Sequence, residues 1–143
     1  IWGVDSYGSV FKKYHETGEF DEKESYSYIT EGIGEDILPK NVDFDLIDKF
    51  EVSGKIEAMQ GKKKVDGIYF STVVPKPKDV RFYFFPTYSH KEQLGELPEN
   101  LRKALKGKSC FHIKYMDDDL ENNLKDLVRK SIKLYQNDGL LNK

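Results

Sequence analysis

From Leu120 to Tyr135 the chain places Leu120, Leu124, Leu127, Val128, Ser131, Ile132 and Tyr135 at spacings of one, three and four. This is a single apolar stripe along an amphipathic helix, and such a helix is stable only when that stripe lies on a core. Asp117–Asp119, just ahead of it, supply a cap and carboxylates at the positive helix end, and Asn137-Asp138-Gly139 provides the stop. The surface that must receive the stripe stands upstream. Gly67–Val74 (Gly-Ile-Tyr-Phe-Ser-Thr-Val-Val) is rich in β-branched and aromatic residues and reads as a strand. Pro75-Lys-Pro-Lys-Asp79 interrupts it, and Val80–Phe85 returns as a second strand, so the pair forms a hairpin.

Further elements fit the same scheme. Pro98–Leu105 reads as a short helix with Pro98 in its first turn and Gly107 after its end. Ser109–Tyr115 alternates Cys110, His112 and Lys114 against Phe111, Ile113 and Tyr115, the period of a half-buried strand. Nearer the N-terminus, Ile1–Val4, Tyr26–Ile29 and Leu46–Val52 have extended character, and Lys62–Lys64 reads as a turn. Strand, strand, helix, strand, helix gives an α+β fold, an antiparallel sheet with the C-terminal helix packed on one face. With 143 residues the chain holds one well-packed domain more comfortably than two.

Charge divides the chain unevenly. Residues 1–53 carry 5 Lys and no Arg against 13 acids, whereas residues 54–143 carry 18 basic against 12 acidic side chains. The contrast points to two units or two interaction faces. An excess of +6 spread over the second part is mild for a nucleic-acid binder, so no nucleic-acid partner is expected. No apolar run is long enough for a membrane span, and the lone Cys110 excludes an internal disulfide. The first residues, Ile-Trp-Gly-Val-Asp, have neither an initiator Met nor a signal-peptide pattern and read as the interior of a longer chain. A cytoplasmic, bacterial protein is the resulting expectation.

Two resemblances add to this. Gly3-Val4-Asp5-x-Tyr7-Gly8-Ser9, Tyr28-Ile29-Thr30-Glu31-Gly32-Ile33-Gly34-x-x-Ile37-Leu38-Pro39 and Asp45-Leu46-Ile47-Asp48-Lys49-Phe50 occur in this order. Together they resemble an internal stretch of the pyridoxal-phosphate (PLP) enzymes of the cysteine synthase and cystathionine β-synthase family. The resemblance implies that Gly32, Ile33 and Gly34 are backbone close to the cofactor. PLP chemistry also needs a Schiff-base lysine, a phosphate loop and a group facing the pyridine nitrogen. The family's motifs for these do not occur in residues 1–143. No catalytic residue and no cofactor are therefore expected as the chain stands, with PLP bound only if missing segments complete the site.

The second resemblance rests on Phe82-Tyr83-Phe84-x-Pro86-x-Tyr88 and on Leu101-Arg102-x-x-Leu105-Lys106-Gly107-Lys108-Ser109-Cys110-Phe111-x-Ile113-Lys114. This pattern, followed by acids and an amphipathic helix, resembles the YdhG-like family of small α+β domains, some of which carry the label iron chaperone. The expected organisation is a synthase-like fragment over 1–52 and a YdhG-like domain, complete or truncated, over 53–143. The join falls near Val52–Lys64, as in a fusion or chimera.

Candidate site residues follow from the residue types. Tyr83, Tyr88, His90, Lys108 and Lys114 are polar or cationic groups interleaved with aromatic ones, the mixture that lines a groove for a small anionic ligand. Cys110 and His112 share a strand face but lack a second ligand pair, and Asp117–Asp119 are accounted for by helix capping, so no metal site is expected. Gly107-Lys108-Ser109 echoes a phosphate loop, but Arg102 stands where that motif requires glycine. The preferred expectation is a non-catalytic binding domain. The alternatives are a PLP-synthase fragment inactive without its missing segments, and an iron-binding chaperone.

Overall fold

The structure, a computed structural model, describes residues 37–40, 50–76, 78–114 and 117–142. The expected elements at Ile1–Val4 and Tyr26–Ile29 lie outside them. Among the described residues eight strands and four helices follow one another: β1 Ile37–Lys40, β2 Phe50–Gly54, β3 Ala58–Gln60, β4 Lys63–Val65, β5 Tyr69–Pro75, β6 Val80–Phe84, α1 Pro86–Ser89, α2 Lys91–Leu94, α3 Glu99–Ala104, β7 Leu105–Lys106, β8 Cys110–Ile113 and α4 Asp118–Asn137. The main sheet is antiparallel throughout, in the order β1-β2-β5-β6-β8-β7, while β3 and β4 form a separate hairpin. The fold is α+β. β2 spans position 52 and pairs with β5, so the sheet is continuous across the region where the two resemblances meet.

The alternation of β6 and β8 decides which face is buried. Val80, Phe82 and Phe84 on β6, with Phe111 and Ile113 on β8, are buried, and Arg81, Tyr83, Cys110 and His112 point the other way. Phe82 stands opposite both Val73 and Phe111, whereas Tyr83 stands opposite Thr72 and Cys110. Helix α4 contributes Leu120, Leu124, Leu127, Val128, Ser131 and Tyr135 to the core, the face expected from the stripe, with Ile132 partly buried at its margin. Aromatic rings knit the two layers together. Phe82 and Phe84 stack at 5.1 Å, and Phe70 meets Phe84 and Tyr135 edge-on at 5.2 and 5.7 Å.

Both ends of α4 are closed by local chemistry. The Asp117 carboxylate accepts a hydrogen bond from the Leu120 amide at 2.8 Å, the N-cap expected from the acidic run. At the other end Gly139 takes φ +73°, the Gly139 amide donates to Gln136 O and the Leu140 amide to Tyr135 O. This pair of bonds is a Schellman stop, whose left-handed residue suits glycine. Within the helix, Ser131 donates to the Leu127 carbonyl at 2.7 Å, so a hydroxyl on the apolar stripe is satisfied.

Some elements differ from the sequence expectation. The expected turn at Lys62–Lys64 is displaced: Gly61, at φ +66°, and Lys62 make the turn, and Lys63 and Lys64 belong to β4. Gln60 pairs with Lys63, which leaves a two-residue hairpin loop, the geometry that favours a positive φ and hence glycine. Residues 86–94, which the sequence pattern leaves unassigned, form two single-turn helices, with Pro86 opening the first. β5 also contains a bulge. Val52 faces Ser71 but Ser53 faces Tyr69, so Phe70 is an extra residue on that strand. The shift sets Tyr69 on the face of Thr72, to whose hydroxyl its own is hydrogen-bonded.

Two phenols, the half-buried Tyr69 and the buried Tyr135, make stability sensitive to alkali. Burial is the largest cause that raises the Tyr69 hydroxyl from 10.0 to about 12, and it raises Tyr135 as well. The neutral phenol is favoured by folding, so the contribution is whole below the unfolded pKa near 10.0 and is lost as pH climbs through the folded value. Chemical denaturation between pH 10 and 12 should therefore show a loss of about 1–2 kcal/mol, with solvent screening at the partly exposed Tyr69 ring keeping it this small. A Tyr69→Phe protein should show a shallower decline. Equal slopes in the two proteins would contradict this assignment.

No helix among the described residues is long and apolar enough to cross a membrane.

Candidate functional site

After β6 the chain leaves the sheet at Pro86, makes α1 and α2, and turns at Gly95 with φ +70°. It returns through α3 and turns again at Gly107 with φ +73° before entering β8. Beyond their chain neighbours, neither glycine has an atom of the described residues within 4 Å of where a Cβ would sit, so it is the backbone conformation that calls for glycine at these turns. The two turns enclose a cavity of about 300 Å³. Its walls are Leu94, Leu97 and Leu105, each partly buried, together with the buried Thr87. Its rim is made by the exposed Tyr88, Lys91 and Lys108 and the two turn glycines.

The chemistry of this cavity is one-sided. Lys91 and Lys108 bring two positive charges, and among the described residues no acid lines it. Among the described residues neither ammonium has a carboxylate partner in an ion pair. The Lys108 Nζ lies 5.3 Å from the centroid of the Tyr88 ring, a cation–π contact that holds the aromatic face and the charge side by side. Tyr88 is 52% exposed, one of two large hydrophobic residues so open among those described. Thr87 is 5% exposed, and its Oγ1 is enclosed without a hydrogen-bond partner among the described residues.

The five residues expected to share a groove are distributed over four places. Tyr88 and Lys108 meet in the cavity described above. Lys114 lines a separate, larger hollow of about 460 Å³ with Lys103, Lys106, His112, Asp79 and Asp117. There Asp79 lies 3.3 Å from the Arg81 guanidinium, which engages its charge, and 3.7 Å from the His112 ring. Tyr83 lies on the sheet face away from the core, between Thr72 and Cys110. Gly32, Ile33 and Gly34 lie outside the described residues.

His90 points inward. Its ring sits 4.9 Å from that of Tyr135, its Nε2 is 2.6 Å from an Asp138 carboxylate oxygen, and its Nδ1 is 2.8 Å from the Ser89 hydroxyl. The same hydroxyl lies 3.0 Å from the Tyr135 hydroxyl. A carboxylate, an imidazole and a hydroxyl in line have the order of a catalytic triad. Here, however, the serine is tied to a core tyrosine of α4, and the cavity is lined by its neighbours Thr87 and Tyr88 instead. The array latches the α1–α2 corner to the end of α4, and a Ser89→Ala protein should lose about 1 kcal/mol in urea denaturation. A larger loss, near that of a core truncation, would mean that the latch also holds the corner's packing.

Cys110 and His112 occupy one sheet face, as their alternation requires, and His90 is on another set of partners. Burial raises the Cys110 thiol above its ordinary value, with the Tyr83 hydrogen bond pulling the other way. The thiol therefore stays protonated near neutral pH, which makes it a poor nucleophile. Among the described residues no three His, Cys, Asp or Glu side chains are grouped so as to hold a metal ion. Asp117 is occupied as the cap of α4.

Thr87 and Lys91 escaped the sequence reading. Nothing in the local pattern marks either one, because their proximity to Lys108 depends on two glycine turns distant in sequence. Pro86, Gly95 and Gly107 were the available signals, as punctuation that brings short elements round into a corner.

No protein-family model, curated protein or solved structure matches this chain.

Proposed function

We propose that this protein is a non-catalytic binding domain whose site is the cavity between α1, α2 and the Gly107 turn, and whose ligand is a small organic anion. One observation carries the reading: two lysines without carboxylate partners among the described residues flank an exposed tyrosine at the mouth of an aliphatic-walled cavity of about 300 Å³. Such a lining retains a ligand by charge, ring stacking and apolar burial. The size is apt, because a cavity of roughly 150 Å³ is sufficient to admit benzene. The larger hollow beside Lys114 is the weaker candidate, since the carboxylates of Asp79 and Asp117 share its wall with the lysines, whereas the smaller cavity has no acid among its described lining residues. Residues 53–143 form a domain of YdhG-like type in this reading, and residues 1–52 a synthase-like segment without catalysis of its own.

Benzoate is a suitable probe, joining a carboxylate to a ring. Calorimetric titration should show saturable binding that weakens as salt rises. In a Lys108→Ala protein the affinity should fall about 5-fold, the effect of losing one partly exposed charge contact. Unchanged affinity in both Lys108→Ala and Tyr88→Ala proteins, or no binding at all, would overturn the assignment of this cavity.

A further inference from the structure

We propose that the natural ligand of this cavity is bifunctional: an anionic group at the rim and, across an apolar body, a hydroxyl or carbonyl that pairs with Thr87 Oγ1. This rests on the binding function proposed above and specifies what class of molecule is bound. The rim contribution comes from Lys91 and Lys108, and the apolar middle faces Leu94, Leu97 and Leu105. What the lysines do not explain is Thr87. Its side-chain oxygen is enclosed and has no hydrogen-bond partner among the described residues, although Thr87 lines the same cavity.

An enclosed hydroxyl without a partner destabilises a fold, and native structures contain few of them. The neighbouring polar groups in this corner do not relieve it. Ser89 is taken by His90 and Tyr135, and the His90 ring by Ser89 and Asp138. A valine would fill the same space without the penalty, so the hydroxyl is informative. A threonine hydroxyl both donates and accepts, so it can meet either a hydroxyl or a carbonyl of the ligand. Rotation about χ1 exchanges hydroxyl and methyl, and helical threonine populates two such rotamers, which gives the oxygen a way to turn into the cavity.

The two ends of the ligand can be tested separately with benzoate, 4-hydroxybenzoate and phenol, titrated calorimetrically into the full chain. The wild-type protein should bind 4-hydroxybenzoate about 5- to 10-fold more tightly than benzoate, the effect of one additional buried hydrogen bond. In a Thr87→Val protein this preference should shrink to within about 2-fold while benzoate binding persists, which also shows that the cavity is intact. The Thr87→Ser protein, which keeps the hydroxyl, should retain the preference. It provides the comparison if the valine variant does not fold. Lys108→Ala should weaken both acids alike and leave phenol unaffected.

Equal affinity for the two acids in the wild-type protein would overturn the bifunctional ligand while leaving anion binding standing. So would a preference that survives Thr87→Val, or one that is lost in Thr87→Ser. If neither acid binds, the proposed function itself fails, and this inference with it.

Discussion

Replacing Gly67 by alanine should cost about 3–4 kcal/mol of folding free energy, combining overpacking with the loss of a backbone hydrogen bond. A Cβ on Gly67 would stand 1.6 Å from the Gly54 carbonyl oxygen and 2.3 Å from its carbon. Both are backbone atoms, so no side-chain rotation can relieve the overlap. The end of β2 and the approach to β5 would have to part, breaking the 2.8 Å bond from the Gly54 amide to the Ile68 carbonyl. That would also disturb the buried Ile68 and the packing of Leu141 over Gly54. Gly61→Ala is the matched control. There a Cβ meets nothing within 4 Å, and the positive φ alone should cost about 1 kcal/mol. Guanidinium denaturation of the two variants measures the difference. Equal midpoints would show that the Gly54–Gly67 contact yields easily.

A truncation of Phe82 to alanine should cost about 3–5 kcal/mol, the usual range for a large aromatic in a closed core. Phe82 is fully buried at the centre of the sheet, in contact with Phe84 at 5.1 Å and Phe111 at 6.1 Å. Domains of this size are stable by about 5–15 kcal/mol, so a large share of the total is at stake. Because Phe111 shares the same cluster, the double variant Phe82→Ala/Phe111→Ala should lose less than the two single losses added. Met59, 57% exposed on the β3–β4 hairpin, should tolerate alanine within about 0.5 kcal/mol. Thermal or urea unfolding of the four variants, Phe111→Ala included, decides the ordering. A Phe82→Ala loss as small as that of Met59→Ala would show that the sheet does not carry the core.

Long-period patterns made the frame of the fold legible. The stripe from Leu120 to Tyr135 repeats over enough turns to specify both a helix and its buried side, and the β5–β6 hairpin is delimited by its prolines. Short elements are less legible, since three residues of β3 or one turn of α1 carry too little periodicity to identify. The bulge at Phe70 illustrates the same difficulty, because one inserted residue reverses the face of Tyr69 without any local signature. Gly67 is visible as a glycine near a strand start, but the backbone it touches is 13 positions away at Gly54.

The site was legible only in part for a related reason. Grouping Tyr83 with Tyr88 and His90 treats all three as part of one aromatic sheet face, but the chain leaves the sheet after Phe84 and is helical from Pro86. Tyr83 consequently faces one side of the sheet, while Tyr88 opens on the cavity and His90 turns toward Tyr135. Tyr88 and Lys108 share a site because Gly95 and Gly107 bend the intervening chain back upon itself. No spacing rule in the sequence encodes that closure.

An amide-resolved NMR titration with benzoate tests the central claim most directly, since it reports where an anion sits as well as whether it binds. The largest saturable shifts are expected at Thr87, Tyr88, Lys91, Gly95, Gly107 and Lys108, the residues around the cavity. Shifts centred on Lys114 and His112, or on Tyr83 and Cys110, would contradict the account, as would a spectrum unchanged at saturating benzoate.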